Sequence, residues 1–105
     1  MLRIEKNLIQ AIIKDNVKDI EYFVQEHIEW VKWLVSPVNW WNILMYAVYY
    51  GNITIIKLIL WTGVDVNYKN KEWFDVFDVL INIHKWRKFK KILALLDKYK
   101  NVSSI

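Results

Sequence analysis

Apolar residues recur at spacings of three and four along nearly the whole chain. Leu8, Ala11 and Ile12 share one helical face, and after the polar break Asp15-Asn16 the same spacing returns as Ile20, Phe23 and Val24. Leu44, Ala47 and Val48 repeat it, followed past Gly51-Asn52 by Ile56, Ile59 and Leu60. A last pair carries Phe77, Leu80 and Ile81, then Phe89, Ile92, Leu93 and Leu96. The pattern predicts six short helices in three pairs. Helices of about 8 to 10 residues are marginal alone, so each pair must stack on a neighbour to bury its stripe.

The spacing between pairs is regular. Leu44, Ala47, Val48, Ile56, Ile59 and Leu60 lie 33 residues before Phe77, Leu80, Ile81, Phe89, Ile92 and Leu93, without a gap. The first pair matches the second at an offset of 36, so about three residues are inserted within HIEWVKWLVSPVN. The reading is a single domain over residues 1–105, with units at about 4–37, 38–70 and 71–103.

The middle unit, NILMYAVYYGNITIIKLILWTGVDVNYKN, carries Leu44, Ala47, Gly51, Ile55, Ile56, Leu58, Ile59, Leu60, Gly63, Asp65, Val66 and Asn67 at the positions of an ankyrin repeat, which it resembles. The two glycines of the chain stand where that repeat places them, between the helices and after the second helix. The resemblance implies an all-α fold, an ankyrin-like α-solenoid of three helix-turn-helix repeats whose first and last units act as caps. Asn42 replaces the usual threonine and is expected to cap the first helix. Trp73 stands where glycine is usual, while Asp15 and His84 replace the glycine between helices.

In ankyrin proteins, partners are held by the turn tips and by the exposed face of each first helix. Carried over, this places Trp40 and Trp41 on one tip and Trp73 and Phe74 on the next, 33 residues later. The first-helix surface falls on Tyr49 and Tyr50, with Met45 and Tyr46 nearby, on Asn82 and Ile83 in the third unit, and on Ile13 and Lys14 in the first. Trp40 and Trp73 could instead pack on each other across adjacent turns. The resemblance therefore implies a protein-binding module, a small inhibitor or adaptor gripping its partner through an aromatic concave face.

Composition removes several other classes. The chain has no cysteine, so disulfides, thiolate metal sites and thiol catalysis are excluded. Its two histidines, His27 and His84, lie far apart in sequence with no ligand-spaced partner, and no phosphate loop, nucleophile elbow or zinc-protease motif occurs. The expectation is a non-enzyme with no catalytic residue, metal or cofactor. Asp65 and Asn67 are read as bonding turn backbone. No signal sequence and no apolar run of about 18 residues is present, which points to a cytoplasmic or intracellular protein with no membrane partner.

Charge adds one alternative. Residues 1–68 carry six Lys/Arg against seven Asp/Glu, whereas residues 69–105 carry nine against four. Basic residues interleave with Trp86, Phe89 and Tyr99 in HKWRKFKKILALLDKYK, so a nucleic-acid-binding module using that helix is the second, less favoured reading. The apolar stripe Trp86, Phe89, Ile92, Leu93 and Leu96 must still dock, leaving Lys85, Arg87, Lys88, Lys90 and Lys91 mostly on the free side. A homodimer through the aromatic patch, or through Trp30 and Trp33 of EWVKWLV, is a further possible assembly.

Overall fold

The computed structural model describes residues 3–83 and 87–103, and side chains over 5–83 and 88–100. His84, Lys85, Trp86 and the side chain of Arg87 lie outside these described residues. Among the described residues seven helices follow in order: α1 (Arg3–Ile13), α2 (Val17–Glu26), α3 (Ile28–Trp33), α4 (Ile43–Tyr50), α5 (Ile53–Trp61), α6 (Val76–Ile83) and α7 (Arg87–Ser103). No strand occurs among the described residues, apart from an isolated bridge between Val35 and Asn42. The fold is all-helical, as an ankyrin solenoid requires.

Pairing follows the sequence pattern. The helices α1 and α2, α4 and α5, and α6 and α7 pack within their pairs; α4 lies between α1 and α6, and α5 between α2 and α7. With three pairs stacked, the molecule measures 32 × 28 × 28 Å, too short to look elongated. Among the described residues no helix is long and apolar enough to cross a membrane.

Short polar side chains start these helices by satisfying amides that have no partner within the helix. Asn16 accepts from the Asp19 amide at 3.2 Å, Asn42 from Met45 at 3.0 Å and Asn52 from Ile55 at 3.2 Å. Asp75 accepts from Phe77 at 3.0 Å and Asp78 at 3.1 Å, while its own amide donates back to the Asp78 carboxylate at 2.9 Å. Gly51 ends α4 at φ 77°, in the left-handed region open to glycine, and its amide donates to the Ala47 carbonyl.

The core contains the predicted Leu8, Ala11, Ile12, Ile20, Val24, Leu44, Ala47, Val48, Ile56, Ile59, Leu60, Leu80, Ile92 and Leu96, all buried. Two differences from the expected stripes have one cause. Helix α4 is covered on both sides, so Ile43 and Met45 are buried as fully as Leu44. Helix α6 has no described unit beyond it, so Ile81 is 57% exposed, although Val48, its equivalent 33 residues earlier, is completely buried. The third stripe is built from Val76, Val79 and Leu80 instead, with Phe77 half-buried.

The insertion in the first unit forms a further helix. HIEWVKWLVSPVN contains α3, in which Val31 is fully buried and Leu34 follows into the core, while Trp30 and Trp33 remain outside. His27 joins α2 to α3, its amide donating to the Phe23 carbonyl at 2.8 Å and its ring lying against Tyr22 and Phe23.

Candidate functional site

Two turns present the tryptophans. In the first, the Ser36 amide donates to the Trp41 carbonyl and the Trp40 amide to the Ser36 carbonyl, each at 2.9 Å. In the second, the Asn70 amide donates to the Phe74 carbonyl at 2.9 Å and the Trp73 amide to the Asn70 carbonyl at 3.0 Å. Side chains hold both turns from within: Ser36 Oγ accepts from the Val38 amide, and Asn70 Oδ1 accepts from the amides of Glu72 and Phe74. The first turn is one residue longer, yet both deliver a tryptophan in the left-handed region, Trp40 at φ 59° and Trp73 at φ 65°. Asp15 adopts φ 54° between α1 and α2, where the resemblance expects glycine.

The tips are tied to their neighbours. The Tyr68 hydroxyl donates to the Trp40 carbonyl at 2.7 Å, and Asn42 Nδ2 donates to the Asp65 carbonyl at 3.3 Å. Burial raises the Tyr68 phenol above its usual value of 10.0. Asp65 accepts from the Asn67 amide at 2.9 Å, a turn contact as expected from its place after Gly63.

Four rings form a continuous row along α4 and the turn before it. Trp41 lies 5.4 Å from Tyr46 and 5.6 Å from Tyr49, and Tyr49 lies 5.0 Å from Tyr50, all measured between centroids at steep interplanar angles. Such tilted and edge-on contacts match the ring quadrupoles and fix each ring's direction. Trp41 and Tyr46 are half-buried against the core, with the Tyr46 hydroxyl 3.4 Å from Asn39 Oδ1, while Tyr49 and Tyr50 are each 39% exposed.

The remaining predicted contact residues separate. Trp40 is 52% exposed and Trp73 78% exposed, and no ring contact joins them among the described residues. Phe74 and Ile83 are also exposed, beyond the row of four rings. Met45 requires a correction. It is fully buried, because the side of α4 that carries it is covered by a neighbouring helix, and its side chain reaches no surface.

Sequence reasoning missed two residues outside the row of rings, Asp75 and Trp61. Asp75 caps α6, and the spacing of Asp75 and Asp78 before an apolar run was the available signal. Trp61 projects from the end of α5 between two clefts that share Leu58. It follows directly after the buried Leu60, and so falls off the core face by about 100° of helical rotation. Among the described residues no group of acidic, histidine or cysteine side chains could hold a metal ion.

Stacked helix pairs joined by turns that present side chains outward define a helical repeat protein. Residues 39–71 match the family model of the ankyrin repeat, and the chain carries a repeat of that family there. Similar proteins are the "Ankyrin repeat and SAM domain-containing protein 6" of Rattus norvegicus and of Mus musculus, each 30% identical over 74 residues, or 70% of this chain. The matched segment spans 8% of the length of those relatives. No solved structure matches the chain at a significant level. Ankyrin repeats generally mediate protein–protein interaction, and the family is a non-enzymatic interaction module.

Proposed function

We propose that the chain binds another protein through the first-helix face of its middle unit, with the units at about 4–37 and 71–103 acting as caps. The row Tyr46, Trp41, Tyr49 and Tyr50 carries this reading, because clustered aromatic rings with open edges contribute heavily to interface energies and little to solubility. Trp40, Trp73 and Phe74 flank the row at the turn tips, and Ile83 extends the contact onto α6. The two tryptophans support the reading in a second way. A bulky side chain held at positive φ with its ring in solvent is unfavourable for folding, and such strain concentrates at sites of function. A chain that supplies only a surface acts by occupancy, as a small inhibitor or adaptor inside the cell.

Affinity capture with the natural chain and with a Trp41→Ala/Tyr50→Ala double variant, read by mass spectrometry, tests the proposal. A protein retained by the first and lost by the second is the expected result. Equal retention by both removes the aromatic face from the reading. The exposure of Lys88, Lys90 and Lys91 on α7 favours nucleic acid as the second reading. Steep weakening of capture with salt marks that case, since phosphate contacts release counterions.

A further inference from the structure

Thr54, Lys57, Leu58 and Trp61 share one side of α5, and Leu95, Lys98 and Tyr99 share one side of α7, each set at spacings of three and four. Where these two helices pack, the two sets line a cleft of about 540 Å³. It lies on the second helices of their pairs, apart from the aromatic row on α4. We propose that this cleft receives an acidic segment of a partner polypeptide, a contact independent of the α4 row, in which one large apolar side chain lies against Trp61 and flanking carboxylates meet Lys57 and Lys98.

Floor and rim differ in chemistry. Leu58, Leu95 and Tyr99 pack partly into the core and leave apolar surface along the cleft, while the Trp61 ring stands 66% exposed at the end of α5. A ring of that size left in water offers most of its area to whatever covers it. No acidic side chain lines the cleft, and Asp97, next to Lys98 in sequence, lies outside the lining. Lys57 and Lys98 are both exposed, and neither forms an ion pair with a described residue. Carboxylates brought by a partner therefore meet two ammonium groups and the Thr54 hydroxyl on the same side of Trp61.

Other anionic surfaces fit less well. A second cleft of about 300 Å³ shares Leu58 and Trp61 and is lined by Glu21, Val24 and Gln25 of α2. A membrane or a nucleic-acid backbone spread over Trp61 brings negative charge against Glu21, whereas a short acidic segment needs to cover the lysine side alone. The leucine floor also suits an aliphatic or phenyl side chain better than a nucleobase, whose polar edge would lose water there without gaining a partner. Charge agrees in sign, because residues 69–105 carry nine basic against four acidic side chains.

The test follows the indole N–H signals of the seven tryptophans by heteronuclear NMR, those of Trp61 and Trp41 being assigned with Trp→Phe variants. The full chain is titrated with the capped peptide Gly-Asp-Glu-Phe-Glu-Asp-Gly and with its neutral counterpart, in which asparagine and glutamine replace the acids. The acidic peptide is expected to move the Trp61 signal saturably and to leave Trp41 in place, and the neutral peptide to act only at much higher concentration. Lys57→Gln with Lys98→Gln, both exposed and so compatible with folding, should weaken binding about fivefold, as the loss of two exposed ion pairs does. Movement of Trp41 in place of Trp61, equal shifts from the neutral peptide, or an unchanged response in the double lysine variant overturns the proposal. It is overturned too if a single-stranded oligothymidylate or phosphatidylserine vesicles move Trp61 at lower concentration than the peptide does. The same holds if the Trp61 signal moves on concentrating the protein alone, for a second copy would then be the occupant.

Discussion

At the scale of single residues, the informative feature is backbone rather than side chain. Asp15, Trp40 and Trp73 sit at positive φ, a region that costs an L-residue roughly 1–2 kcal/mol and that asparagine tolerates better than a bulky ring. Trp73→Asn is therefore expected to stabilise the fold by about 1 kcal/mol, because its exposed ring gives up little packing. Gly51→Ala, at φ 77°, should destabilise it by a similar amount. Differential scanning calorimetry of both variants checks this pair, and a lower melting point for Trp73→Asn would mean that its ring packs after all. The repeat offset made Trp40 and Trp73 equivalent in the sequence, and the glycine usual at the Trp73 position pointed to the left-handed turn. Tyr68 was not legible, because its tie to Trp40 crosses 28 residues and depends on how two turns stack. Its titration gives a pH prediction. Burial raises its folded value, so the stability it contributes is complete below about pH 10, the unfolded value, and is lost as pH rises through the folded one. Urea midpoints measured from neutral pH to above pH 10 should fall more for the natural chain than for Tyr68→Phe.

At the scale of elements, the six paired helices were legible because each needs only one periodic stripe and one polar break. The stripes were less well read where neighbours change what is covered. Met45 lay off the expected stripe and is buried, and Ile81 lay on it and is exposed, since α4 has a neighbour on each side and α6 has none described beyond it. Helix α3 escaped notice because its six residues offer little periodicity, although Val31 and Leu34 hold a spacing of three. The double coverage of α4 predicts a sharp contrast between adjacent surfaces. Ala47→Leu forces extra volume between packed helices and should cost about 1–3 kcal/mol or more, whereas Tyr50→Ala, on the open side, should change stability by under about 1 kcal/mol. Chemical denaturation of the two variants decides it. If Tyr50→Ala loses as much as Ala47→Leu, the ring row belongs to the core.

At the scale of the whole molecule, charge and aromatic surface lie on different units. Trp41→Ala or Tyr49→Ala is expected to weaken partner binding by roughly 2 kcal/mol with folding retained, as truncation of an interface anchor does. Lys88→Gln with Lys91→Gln should change it by under about 1 kcal/mol and chiefly through the association rate. Calorimetry of the captured partner at two salt concentrations separates the effects, and the opposite ranking would transfer the site to α7. The sequence could suggest which residues face outward, but not which rings touch. That depends on the chain's entry into α4, set by the Ser36 to Trp41 turn and by Asn42. The bond from Tyr68 to Trp40 bears on this encounter through entropy rather than contact. By fastening the Trp40 tip to a segment 28 residues further along, it removes during folding a freedom of motion that association would otherwise have to remove. A partner meeting this tip would find a loop that has already lost its wandering, so its affinity there would depend mainly on the shape presented and little on the disorder left to quench.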